Sequence, residues 1–144
     1  MELPKSKPIA EIEAMKQTRR QGYVDNRQRI INHLKKRGLR NVVIAGIIGN
    51  IDIETGGTFD YKQRQTKSGN PRDPNVTPGG AYGLFQFDDP GKKAGHETWY
   101  KQYLEKTNKT DSAESQLDYF LDTVNAAADK QTLFIAFQRM WVRE

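Results

Sequence analysis

Apolar residues recur at helical spacing through most of the chain, and the gaps between the runs are rich in Gly and Pro. Ile9, Ile12 and Met15 form a thin stripe among Glu11, Glu13, Lys16, Arg19 and Arg20. It is too narrow for a core helix and suits one lying on the domain or on a neighbouring chain. Pro4 and Pro8 break the start, so residues 1–22 read as a charged helical arm and 23–144 as the folded domain. Asp25 or Asn26 is placed to cap a second helix, with Ile30, Ile31 and Leu34 on its buried side. Gly38 ends it after Lys35, Lys36 and Arg37, cations suited to a helix C-terminus.

Next comes residues 42–54, with Asn41 as its cap. Val42, Val43, Ile44, Ile47, Ile48 and Ile51 make it apolar nearly all round, so it should be central and buried. Its β-branched residues also suit a strand, but about 13 residues is long for one, which predicts a helix. Gly46 and Gly49 each cost roughly 1 kcal/mol inside a helix, acceptable where other backbones pack closely. Gly56 and Gly57 then stop it, since Gly tolerates the left-handed turn that ends helices.

Turn formers fill residues 57–80, predicting a long loop or irregular hairpin. Helical patterns resume at residues 93–105, with Trp99, Tyr100, Tyr103 and Leu104. Asp111 and Glu114 form a capping-box pattern ahead of Leu117, Phe120, Leu121 and Val124. Asp129 is placed to cap residues 131–140, with Leu133, Phe134, Phe137 and Trp141 buried. That segment runs to Glu144 without a stop signal, which fits a domain end or a cut from a longer chain. The expected fold is mainly α, with a small irregular β-hairpin or loop region around residues 57–88.

Composition narrows the partners. The 144 residues suit one domain, and hydrophobics at 35% leave room for solvated arms and loops. No apolar run reaches the about 20 residues of a membrane span, and the N-terminus lacks a signal-peptide core. With no cysteine, disulfides and thiolate chemistry are excluded. A net charge of +5 and a pI near 9.4 favour an anionic partner such as nucleic acid, a membrane surface or a wall polymer, without choosing among them. The cluster Lys16, Arg19 and Arg20 reads as a solvated face, with phosphate contact as the alternative. His33 is isolated and reads as a surface or packed residue. There is no P-loop, dinucleotide fingerprint, EF-hand or His-based metal motif, and Asp52, Glu54 and Asp60 match no calcium loop. Neither metal nor cofactor is expected.

Glu54 is the candidate for chemistry. It falls at the tip of the apolar helix, just before the Gly pair. A carboxyl beside apolar neighbours and at a helix's negative end is held protonated to higher pH, the state a general acid needs. A Glu in a last helical turn is, however, more often a solvated surface residue than a catalyst. Beyond it, Phe59, Tyr61, Lys62, Arg64 and Lys67 are placed to grip a polymer.

A second stretch changes this balance. Gly83-Leu84-Phe85-Gln86-Phe87-Asp88 follows Glu54-Thr55-Gly56-Gly57 in the order seen in the lysozyme-like superfamily. The chain resembles goose-type lysozymes and soluble lytic transglycosylases, with Phe85 where Met is usual. Over roughly residues 25 to 140 it most resembles the bacteriophage tail lysozyme family. The resemblance implies an α+β lysozyme-like fold and cleavage of peptidoglycan glycan strands, with Glu54 as general acid and Gln86 lining the sugar groove. Asp88 matches the aspartate that helps hold the attacking water. A further acidic position of goose-type enzymes falls on Thr77, leaving Asp60 and Asp73 as fallbacks. Tyr82, Phe59 and Tyr61 are placed either to stack on sugars or to pack in the core. The implied activity is β-1,4 hydrolysis between N-acetylmuramic acid and N-acetylglucosamine. The alternatives are a lytic transglycosylase giving anhydro-muramyl products, or a structural virion or wall-binding module without turnover. The expected place is the phage tail, acting on the host wall. Other virion proteins are possible partners of the arm; nucleic acid and membrane are not expected.

Overall fold

The computed structural model describes residues 8–91 and 93–125. Among these residues four helices follow in order: α1 (Ile9–Lys36), α2 (Asn41–Thr55), α3 (His96–Thr107) and α4 (Ala113–Asn125). A long connection between α2 and α3 is held by isolated antiparallel bridges, Arg64 to Tyr82, Thr66 to Val76 and Tyr82 to Phe87. It is the irregular hairpin expected from its turn formers, and the fold is mainly helical. The expected segment 131–140 lies outside the described residues.

The arm and the second helix are one. α1 runs 28 residues without a break, because neither Gly22 nor the Asp25-Asn26 pair is enough to stop a helix whose neighbours propagate it. Asn26 does not cap; its amide donates to the Thr58 carbonyl at 3.1 Å, tying α1 to the turn after α2. The stripe of Ile9, Ile12 and Met15 stays exposed. Only Ile30 and Leu34 are buried on this helix.

α2 is not buried all round. Ile44, Ile47, Ile48, Asn50, Ile51 and Thr55 face inward, whereas Val42 and Val43 are exposed and Ile53 is 80% exposed. Of the described helices, α1 is the one that packs along α2. Gly46 and Gly49 lie on the open side, and no described atom comes within 4 Å of where their Cβ would be. The close backbone packing expected there is not found among the described residues. Asn41 is the first helical residue rather than the cap, a position taken by Arg40.

The core gathers Ile30, Leu34, the inward face of α2, Leu84, Phe85, Phe87, Tyr100, Leu117 and Phe120. Phe85 stacks on Phe120 with ring centroids 4.4 Å apart. Trp99, on the same helix as the buried Tyr100, is 46% exposed. The start of α4 departs from the expected capping box. Ser112 Oγ accepts the Ser115 N–H at 3.0 Å, while Asp111 is turned inward to other donors and Glu114 pairs with Arg29. α1 and α4 are joined by a ladder with the same four-residue spacing on both helices. Arg29 grips Glu114 through two bonds of 2.6 and 2.7 Å. His33 and Arg37 share Asp118 at 2.8 and 2.6 Å, and Arg37 also reaches Asp122. Lys109 completes the Asp118 cluster at 3.2 Å.

Candidate active site

The C-terminal tip of α2 opens into a cleft of about 270 Å³ between that helix and the connection. Glu54 and Thr55 form one wall, Gln63 to Thr66 another, and Gln86 closes it with Ala81 and Pro71. Glu54 is half-buried there.

The helix stops here for local reasons. Gly56 takes the left-handed conformation (φ 61°) at the C-cap, as its sequence position predicts. Space at Gly56 is also short, since a Cβ would come within 2.8 Å of Pro71 Cγ. Thr55 stitches the turn: its hydroxyl donates to the Ile51 carbonyl at 2.8 Å and accepts the Phe59 N–H at 3.0 Å. Thr58 adds a bond to the Thr55 carbonyl at 3.2 Å. The turn that follows the acid-bearing residue is thus fixed by two buried threonines.

Gln86 is presented by a tight turn. Tyr82 and Phe87 exchange two backbone bonds of 3.0 and 2.8 Å, and residues 83–86 reverse between them. Leu84, Phe85 and Phe87 point into the core, which leaves Gln86 to face the cleft. Gln86 itself has a positive φ of 50°, a conformation rare for a residue with a side chain. Its amide donates to the Gly83 carbonyl at 2.9 Å and the Gln63 carbonyl at 3.1 Å, so the turn and the opposite wall hold it in place.

Behind the turn stands Gln116, fully buried on α4. Its carbonyl oxygen accepts the Leu84 N–H at 2.9 Å, and its amide donates to the Tyr61 carbonyl and to Asp111. Asp111 in turn accepts the hydroxyls of Tyr82 and Tyr100, both at 2.6 Å. Burial, then the bond to this carboxylate, pushes both tyrosines well above the usual phenol range. Sequence reading did not single out Gln116 or Gln63 and took Asp111 for a helix cap, because a polar residue inside a helix or loop carries no periodic signal of what it will meet.

The sugar-facing candidates divide. Glu54 and Gln86 come together in the cleft, with Arg64 beside them. The Arg64 guanidinium bonds the Gly80 carbonyl at 2.8 Å and Glu97 at 3.1 Å, and lies 4.5 Å from the centre of the Tyr82 ring. Tyr82 therefore has one face under Arg64 and its hydroxyl tied to Asp111. Phe59 is 7% exposed and packs within the core, with a positive φ of 53°. Tyr61 packs against the same core and lies outside the cleft lining. Asp88 is exposed and also outside the lining. Asp60 accepts the Lys62 N–H and Asp73 the Asn75 N–H, each in its own turn. Asp89, next to Asp88, accepts the Gly95 and Thr98 N–H groups at 2.7 and 3.0 Å and so orders the start of α3. Those bonds, led by the Thr98 hydroxyl, hold Asp89 below the usual carboxylate range. Among the described residues no group of His, Asp and Glu is arranged to hold a metal.

A helical domain with an acid at a helix tip, facing a glutamine on a core-anchored turn, defines a lysozyme-like protein. The chain belongs to the phage tail lysozyme family, whose model matches residues 25–140. No curated protein and no solved structure matches it. Family membership gives a lysozyme-like role acting on peptidoglycan and an association with the phage tail. No helix among the described residues is long and apolar enough to cross a membrane.

Proposed function

We propose that this protein cleaves the β-1,4 bond between N-acetylmuramic acid and N-acetylglucosamine in peptidoglycan strands, with Glu54 as the general acid. The reading rests on one observation. Among the described residues, Glu54 is the single carboxylate lining a cleft whose other motif residue, Gln86, is locked opposite it. Glu54 delivers its proton to the leaving glycosidic oxygen. Gln86 and Arg64 offer polar contacts that orient the sugar.

The nucleophile follows from the same lining. With Asp88 outside it, the 6-hydroxyl of the muramoyl residue is the nearest available attacker in chemical terms. It closes on the anomeric carbon and returns its proton to the Glu54 carboxylate, giving a 1,6-anhydro product. Hydrolysis is the second reading. It is favoured by the Asp88 carboxylate, which makes no hydrogen bond or ion pair among the described residues and is available to hold water. Inverting hydrolysis asks for two carboxyls about 6.5–9.5 Å apart across the substrate.

Mass spectrometry of products from purified peptidoglycan tests both. Wild type is expected to release muropeptides, and Glu54→Gln to lose roughly 10²- to 10⁴-fold in rate, the usual worth of a positioned acid, while keeping its helical circular dichroism. Anhydro-muramyl ends support the intramolecular route and reducing ends the hydrolytic one. A folded Glu54→Gln protein with full activity would remove Glu54 from the role. No release by wild type would leave a binding module without turnover.

A further inference from the structure

Away from the cleft, Lys16, Arg19 and Arg20 of α1 converge with Arg72 of the connection on a small pocket beside Tyr23. Among the described residues four cations line it and no carboxylate does. The three on α1 sit at i, i+3 and i+4, so like charges share one helix face, an arrangement that destabilises a helix unless something answers it. The rest of α1 shows how this chain usually answers its cations: Arg29 is paired with Glu114, and Arg37 with Asp118 and Asp122. None of the pocket's four cations makes an ion pair or side-chain hydrogen bond among the described residues. Asp73, next to Arg72, accepts the Asn75 N–H, Asp25 accepts the Gln21 amide, and Glu13, three residues before Lys16, makes no ion pair with it.

The pocket borders the cleft. Arg72 follows Pro71, which lines the cleft and packs on Gly56. One turn of the connection therefore has the acid-bearing helix on one side and the basic pocket on the other.

We propose that this pocket is a subsite for the phosphodiester-linked glycopolymers of the bacterial wall, holding such a polymer while the glycan strand lies in the cleft. The proposal rests on the peptidoglycan reading above. Guanidinium groups match phosphate oxygens in geometry and charge, and Tyr23 supplies an apolar wall for the alcohol linker. The basic cluster, read from sequence as a solvated face, thereby gains a ligand. Nucleic acid carries the same phosphates, but the shared turn with the cleft favours a ligand that travels with the glycan.

Fluorescence anisotropy in the Glu54→Gln background tests this without turnover. The probes are labelled poly(glycerol phosphate) and labelled duplex DNA, with inorganic phosphate as competitor. The polymer is expected to bind more tightly than DNA, to weaken steeply with salt, and to lose roughly tenfold or more in affinity in the Arg19→Gln/Arg72→Gln variant, as contacts that release counterions are removed. Unchanged affinity in a variant of normal helicity, or no binding of the polymer, overturns the proposal. Tighter binding of DNA, with the same sensitivity to the variant, assigns the pocket to nucleic acid and overturns the wall assignment. Competition by inorganic phosphate at equal phosphate concentration makes it a free-phosphate site, with the same result for the polymer. The cleavage reading fails separately, if wild type does not cut phosphate-free glycan.

Discussion

Gly83 is where one hydrogen atom matters most. Its φ is 87°, and a Cβ there would lie 2.5 Å from the Gln116 carbonyl oxygen. Gln116 is fully buried and holds the Leu84 N–H, so it cannot swing away without orphaning that donor. Gly83→Ala is expected to destabilise the domain by about 2 kcal/mol or more, combining backbone strain with the lost bond. Urea denaturation followed by circular dichroism measures this; an unshifted midpoint would mean that the turn has room to move. Asp88 poses the opposite case. It is exposed and outside the cleft lining, so Asp88→Asn is expected to keep wall cleavage within about threefold of wild type, far less than the loss of a positioned acid. A loss as large as that of Glu54→Gln would establish Asp88 as the second catalytic group.

The ladder between α1 and α4 sets the element scale. Asp118 is its centre, taking bonds from His33, Arg37 and Lys109. Burial pushes the Asp118 carboxyl up, and the bonds from those three donors together outweigh it, so its titration lies below the ordinary carboxylate value. Glu114 is likewise held low by the Arg29 bond. A depressed carboxylate adds stability that is present above its unfolded value, about 3.9 for Asp, and lost as pH falls through the folded one. The domain is therefore expected to lose stability on acidification below roughly pH 4. Asp118→Asn should cost about 1 kcal/mol at neutral pH, because the partly exposed Arg37 and Lys109 keep contact with water, and should flatten that acid limb. Thermal melts of both proteins across pH check it. An equal pH dependence in the variant would show that the ladder contributes nothing beyond helix contact.

At the scale of the molecule, Asp111 and Gln116 join the motif turn, α3 and α4 through Tyr82 and Tyr100. Tyr119 belongs to the same aromatic cluster, its ring 5.5 Å from that of Tyr100. Burial pushes Tyr119 up to about 12, and Tyr82 and Tyr100 also titrate above the free phenol. A raised phenol gives stability that is complete below its unfolded value of about 10 and declines as pH rises beyond it. Alkaline unfolding is therefore expected to begin near pH 10, before these tyrosines ionise in the folded state. Tyr100→Phe should make that limb shallower while weakening the domain at neutral pH. Ultraviolet absorbance of phenolate, followed alongside ellipticity, tests the coupling: ionisation that precedes loss of helix would contradict it.

Local chemistry in the sequence was enough to read the helical character of the chain, the end of α2 at Glu54-Thr55-Gly56-Gly57, the loop-rich connection and the order of the two motifs. These depend on neighbours along the chain, on periodicity and on the conformational freedom of Gly. Tertiary structure alone decided which face of α2 is covered, why Phe59 turns inward while Gln86 turns out, and that Asp111 leaves the helix cap to serve two tyrosines. It also decided that α1 passes unbroken through the Asp25-Asn26 signal, with Asn26 reaching Thr58 instead. In each case a polar or aromatic side chain had several local options of similar energy. The one adopted was set by partners tens of residues away, whose proximity exists only after the core of α1, α2 and α4 has closed.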